Sequence, residues 1–99
     1  MQSRYEETFD REMGCSEREW LHWLPGAVRG REIELTAGRA SVAIDGGALD
    51  LAWKALAPRR VALMSLPRLA VQFRFSGLSE DERFAFMRYF DLYMQRGGG

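Results

Sequence analysis

Near the start of the chain, apolar residues recur at helical spacing. Tyr5, Phe9 and Met13 fall at i, i+4 and i+8, with Glu7 and Arg11 paired at i, i+4 on another face and Gly14 where a left-handed cap belongs. The spacing predicts a helix over about residues 4–13; a strand over Arg4 to Asp10 is the competing reading. A second helix, about 17–24, is marked by Ser16-Glu17-Arg18-Glu19, a capping box in which Ser16 and Glu19 satisfy each other's amides. Cys15 and Trp20 take the two staple positions around it. Trp20, Leu21, Trp23 and Leu24 form a broad apolar arc with His22 opposite, and Pro25-Gly26 supplies the stop.

From residue 31 the period changes to two. Ile33 and Leu35 alternate with Glu32 and Glu34; Ala40, Val42 and Ile44 with Arg39, Ser41 and Ala43; Leu49, Leu51 and Trp53 with Asp50, Ala52 and Lys54. Asp45-Gly46-Gly47 is a hairpin signal, and Ala57-Pro58-Arg59 reads as a further turn. Val61 to Leu66 is apolar at nearly every position, the pattern of a central strand covered on both faces. After Pro67, the residues Leu69, Val71, Phe73 and Phe75 point one way and Arg68, Ala70, Gln72 and Arg74 the other. Five strands follow, about 31–36, 39–45, 48–56, 60–66 and 68–75. Their links are too short for a parallel crossover, which needs about a dozen residues, so the sheet is an antiparallel meander.

Ser79-Glu80-Asp81-Glu82 is a second capping box, opening a helix over about 80–95 before Gly97-Gly98-Gly99. The apolar residues of this helix span roughly 220° at about 100° per residue, wider than one sheet face covers. The predicted fold is a single α+β domain over residues 1–99: N-terminal helices, a five-stranded antiparallel meander and a long C-terminal helix packed on the sheet. The unclaimed part of the arc, with Phe86, Tyr89, Phe90 and Tyr93 at its middle, is expected at a homodimer interface.

Composition narrows the chemistry. The chain has 99 residues, of which 14 are basic and 14 acidic, so net charge marks neither a general nucleic-acid binder nor an acidic shell. The distribution is uneven: residues 1–34 carry eight acids and five bases, residues 35–77 two acids and six bases. Of the 14 bases, 13 are arginine, a bias that fits a GC-rich bacterial genome and also suits recognition of carboxylates and planar anions. A single Cys15 rules out an intrachain disulfide, and with no signal-like or membrane-spanning segment a cytoplasmic setting is expected. One Cys and one His cannot complete a structural zinc site. Nucleotide, nucleophile-elbow, zincin and EF-hand motifs are missing, so no catalytic residue, metal or cofactor is expected.

The candidate binding residues are Arg68, Gln72 and Arg74 on the polar side of the last strand, joined by Lys54 and Trp53, with Arg59 and Arg60 nearby. Guanidinium forks beside an amide suit a small anion or an acidic protein segment. The expected function is a small non-catalytic binding or accessory module using this Arg-bearing face. The alternative is a small-ligand enzyme or cofactor handler with a pocket between sheet and C-terminal helix, which a cleft joining Arg68 or Arg74 to Trp53 would favour. Single-stranded nucleic acid is not expected, because it wants aromatics among the charges and the aromatics of the last strand point away. The Gly97-Gly98-Gly99 end resembles the diglycine tail of the ubiquitin-like sulfur carriers. That resemblance implies a tail that is adenylated and thiocarboxylated. In those carriers a strand leads into the tail, whereas here an apolar helix does.

Overall fold

The computed structural model describes residues 4–97. The elements follow in the order β1 (Thr8–Met13), α1 (Glu17–Ala27), β2 (Ile33–Thr36), β3 (Arg39–Ile44), β4 (Gly47–Val61), β5 (Met64–Ser76) and α2 (Glu80–Gln95). The fold is α+β. Its strands form one antiparallel sheet in the order β1-β5-β4-β3-β2. β2 to β5 make the meander, and β1 closes its far edge beside β5. α1 therefore joins the two outermost strands.

The first predicted helix is a strand. Tyr5, Phe9 and Met13 are separated by even numbers, so they share a strand face as readily as a helix face. Pairing decides between the two: Thr8 to Met13 lie opposite Arg74 to Leu69. Phe9 stacks on Phe73 with ring centroids 4.7 Å apart. Arg11 hides the alternation in the sequence because it sits on the core side. Its guanidinium lies 5.1 Å over the Phe73 ring and 5.3 Å over the Phe9 ring, the stem covering apolar surface while the head stays polar.

Both capping boxes form. The Ser16 hydroxyl accepts from the Glu19 amide at 3.1 Å, and the Glu19 carboxylate accepts from the Ser16 amide at 2.9 Å. At α2, Ser79 and Glu82 make the same exchange at 3.1 and 2.8 Å. α1 runs past the predicted stop to Ala27 with Pro25 inside it. Gly26 has a reason to be glycine, since a Cβ there would overlap the Tyr93 phenol. The helices meet at that point.

The core lies between one sheet face and the two helices. Leu69, Val71, Phe73 and Phe75 of β5 and Leu49, Leu51 and Trp53 of β4 are buried against Trp20 of α1 and Phe86, Met87 and Phe90 of α2. Trp20 meets Trp53 and Phe90 edge-on, and Phe90 meets Phe73 edge-on. The opposite face has no helix over it.

The strand predicted over 60–66 is the end of a hairpin. β4 and β5 outrun their neighbours: pairing with β3 stops at Ala52, and pairing with β1 stops at Leu69. Residues 57–68 continue as a two-stranded arm that turns at Ala62-Leu63, and the molecule reaches 46 Å along its long axis. The expected turn at Ala57-Pro58 is a bulge, where the register slips between Leu56 and Arg59. Ala62 takes φ of 54°, a conformation that usually calls for glycine, so the sequence carried no turn signal there.

Ser16→Ala and Ser79→Ala each remove the acceptor for a helix-start amide. Each substitution is expected to cost on the order of 1 kcal/mol. Urea melts of the two variants check this; values indistinguishable from the parent would contradict the capping geometry.

Candidate functional site

The helix-free face is built by the even-numbered positions of β5 and their partners. Directly paired residues in an antiparallel sheet share a face, so the register fixes the neighbours. Arg74 lies between Thr8 and Asp50, and that row continues through Ser41 to Glu34. Gln72 lies between Asp10 and Ala52, with Arg39 beyond; Ala70 lies between Glu12 and Lys54. Arg68, Gln72, Arg74 and Lys54 are thus brought onto one face. Acids interleave with them, four carboxylates (Asp10, Glu12, Glu34, Asp50) against four cations (Arg39, Lys54, Arg68, Arg74). The face is charge-mixed rather than basic. Ala52 and Ala70 floor a shallow depression of about 300 Å³ rimmed by Asp10, Lys54 and Gln72, and a second of about 250 Å³ lies over Ser41 between Arg39, Arg74, Glu34 and Asp50.

Trp53 does not join this group. It is buried on the core side, where its indole N–H donates to the Glu17 carboxylate at 2.7 Å. Its place in the binding set is corrected by the period of two, which sends Trp53 and Lys54 to opposite faces. No cleft links it to Arg68 or Arg74 among the described residues.

The arm is the feature that the strand-by-strand reading missed. Leu63 is fully exposed at the turn, and Met64 (61%), Val61 (50%) and Leu66 (38%) are open to solvent. Pairing of Val61 with Met64, Arg59 with Leu66 and Leu56 with Arg68 puts all six side chains on the side continuous with the helix-free face. The intervening pair, Arg60 and Ser65, points the other way. One side of the arm thus carries four apolar side chains, Leu56, Val61, Met64 and Leu66, with Arg59 and Arg68 among them. Its apolar side, with the Leu63 tip, exposes on the order of 400 Å², within the range of the largest apolar patch on a typical monomer. Pro58 and Pro67 supply no N–H at its edges, which blunts them against strand addition.

Glu12 braces the base of the arm. Arg68 donates to its carboxylate at 2.8 Å and to the Ala57 carbonyl at 3.1 Å, and Arg59 approaches the other carboxylate oxygen at 3.7 Å. The Arg68 hydrogen bond holds the Glu12 carboxyl below the ordinary glutamate range, and the same bond pushes Arg68 up. Arg68 is therefore engaged within the chain, while Arg74 and Lys54 stand exposed.

Two further polar groups tie the N-terminal segment to α2. Asp91 accepts from the Tyr5 hydroxyl and from Arg11, each at 2.6 Å. Burial, with Asp91 second, pushes the Tyr5 hydroxyl up to about 12. Arg83 is buried and donates to the Tyr5 and Leu78 carbonyls at 2.8 and 2.9 Å. A cleft of about 280 Å³ lies between α2 and the start of the β3–β4 turn, lined by Ile44, Phe86 and Tyr89 with Arg29, Arg31, Asp45, Asp81 and Glu82. Its cations are engaged: Arg29 stacks on Tyr89, and Arg31 lies over Phe86 and donates to the Val28 carbonyl. Three acids around it disfavour an anion.

The α2 arc is covered from within. Phe86 and Phe90 are buried in the core, Tyr93 is half-buried against α1 at Gly26, and Tyr89 alone of the four is exposed, beneath Arg29. Of the residues expected at a homodimer interface, sheet and α1 thus enclose Phe86 and Phe90, cover part of Tyr93 and leave Tyr89 open. Gly98 and Gly99 lie outside the described residues; α2 rather than a strand leads to Gly97. Among the described residues no group of three His, Cys, Asp or Glu side chains gathers as a metal site, and no helix is long and apolar enough to cross a membrane.

Glu12 and Tyr5 titrate in opposite senses. A lowered acid stabilises the fold above its unfolded pKa and loses that effect as pH falls through the folded value. A carbon-detected titration of the Glu12 carboxyl is expected to show a midpoint below ~4.3, returning towards it in Arg68→Ala. A raised phenol stabilises below about 10 and loses the effect as pH rises to about 12. Tyr5→Phe is expected to remove that alkaline loss and the tyrosinate absorbance step near 12. It should cost roughly 1–2 kcal/mol at neutral pH, since Asp91 keeps Arg11 but loses a donor.

Comparison of this chain with family models, with curated proteins and with solved structures gives no match, so the functional reading rests on the geometry above.

Proposed function

We propose that this protein is a small non-catalytic interaction module that presents the helix-free sheet face and the β4–β5 arm to a protein surface with apolar side chains and acidic groups. The observation that carries the reading is the arm: Val61, Leu63, Met64 and Leu66 are open to solvent with no element of the chain over them. An isolated two-stranded ribbon is marginal in water, so a partner that covers its apolar side is a source of stability as well as of specificity. Arg59 and Arg60 add charge that steers an acidic partner, an attraction that weakens with salt. The expected acidic protein partner is thereby kept, with the arm added to Arg74, Gln72 and Lys54 as its contact. A reducing cytoplasm is the inferred setting, where the single buried Cys15 stays a thiol.

A photo-crosslinking phenylalanine analogue in place of Leu63 tests this in the cells that make the protein. Discrete protein adducts are expected from position 63, none from the exposed His22 on α1, and a loss of the adducts when Arg59→Glu and Arg60→Glu are combined with the probe. Silence at position 63, or equal labelling from both positions, would overturn the reading.

A further inference from the structure

The apolar side of the arm and the helix-free face are two halves of one continuous surface, and they differ in relief. The arm half carries bulky side chains (Val61, Met64, Leu66), whereas the sheet half is floored by Ala52, Ala70 and Ser41 in two shallow depressions. Bulky groups at one end and hollows at the other are what a two-fold axis across the surface brings together. Resting on the interaction-module reading, we propose that the partner is a second copy of this chain, with the arm of each protomer lying across the helix-free sheet face of the other.

Length, area and charge agree. The arm over residues 57–68 has five residues per strand and reaches roughly 17 Å; the face from Ala48 to Lys54 spans roughly 23 Å. Each arm would remove on the order of 400 Å² of its own surface and a similar amount from the face it covers. Two such contacts total roughly 1,600 Å², the size of a standard stable interface. A uniformly basic face would repel its copy, but this one interleaves acids with bases. Asp10, Glu34 and Asp50 enter no ion pair among the described residues, leaving them open to the partner's Arg59, whose own contact with Glu12 is long at 3.7 Å. The prolines that blunt the arm edges favour contact through side chains rather than by extending the sheet.

The experiment is sedimentation equilibrium of the full chain from about 1 to 100 µM, with two single variants and their mixture. Met64→Asp alters the arm and leaves the face; Ala70→Arg alters the face and leaves the arm. Both sites lie outside the core, and circular dichroism melts confirm that each variant folds; Leu63→Ser, at the fully exposed turn, replaces Met64→Asp should that variant not fold. The parent is expected to sediment at twice 11.4 kDa, and each variant to dissociate at least tenfold more readily. Mixing the variants should restore association, because one native arm then meets one native face. A parent that stays at 11.4 kDa to 100 µM overturns the proposal, as does a dimer indifferent to both variants or a mixture that stays apart. If the parent is monomeric and position 63 still yields adducts with other proteins, the interaction-module reading stands and only the second copy is refuted.

Discussion

Phe73 is enclosed from three directions, and the rest of the molecule is arranged by that enclosure. Phe9 of β1 lies flat over the ring at 4.7 Å, Phe90 of α2 meets it edge-on at 5.5 Å, and the Arg11 guanidinium sits 5.1 Å above it. Two of the partners come from β1, the edge strand at the start of the chain, and one from α2 near its end. To bring them to one ring, β1 must pair with β5 and α2 must fold back over the sheet. α1 must then cross from the β1 edge to the β2 edge on the same side. Asp91 fixes the result by receiving both Tyr5 and Arg11. A buried aromatic cluster joins sheet and helix, and the charged hydrogen bonds to Asp91 tie the N-terminal segment to α2.

One-sided burial has a consequence for function. Two helices are enough to cover one face of a five-stranded sheet, and they leave the other face wet. That second face can be polar at little cost, and it has become a mosaic of interleaved signs over small side chains. Where β4 and β5 outrun their neighbours, the same face turns apolar with nothing opposite it. In a chain of 99 residues, little core is available to stabilise such an extension. The arm is held at its root instead, through Glu12 to Arg68 and Arg59 and through Arg68 to the Ala57 carbonyl. Its outer half has no such support: Val61, Leu63 and Met64 stand open to solvent.

The Arg-bearing face illustrates how pairing changes the meaning of a strand. Read alone, β5 offers Arg68, Gln72 and Arg74 in a row. In the sheet, β1 and β4 set Asp10, Glu12 and Asp50 beside them, so the potential over the face is locally alternating. Arg68 is drawn into the brace, while Arg74 and Lys54 remain outward. The α2 arc underwent the reverse change. The spacing of its apolar residues points outward beyond the sheet, and α1 takes up part of that arc through Trp20 against Phe90 and through the close approach of Gly26 to Tyr93.

Features whose energy is local or periodic are legible along the chain. These are the two capping boxes, the alternation of β3, β4 and β5, the Asp45-Gly46 hairpin and the α+β class with an antiparallel sheet. Each rests on residues within a few positions of one another, so the chain states them before it folds. Whether residues 4–13 are helix or strand depends on long-range pairing with β5, because the even spacing of Tyr5, Phe9 and Met13 satisfies both. Arg11 breaks the alternation until Asp91, 80 positions away, explains its inward side. The same holds for Val61 to Leu66. An apolar run states that it avoids water but not what it packs against, and here the neighbouring strands end before they reach it. Pairing partners far apart in sequence set those endings, and a one-dimensional pattern carries no record of them.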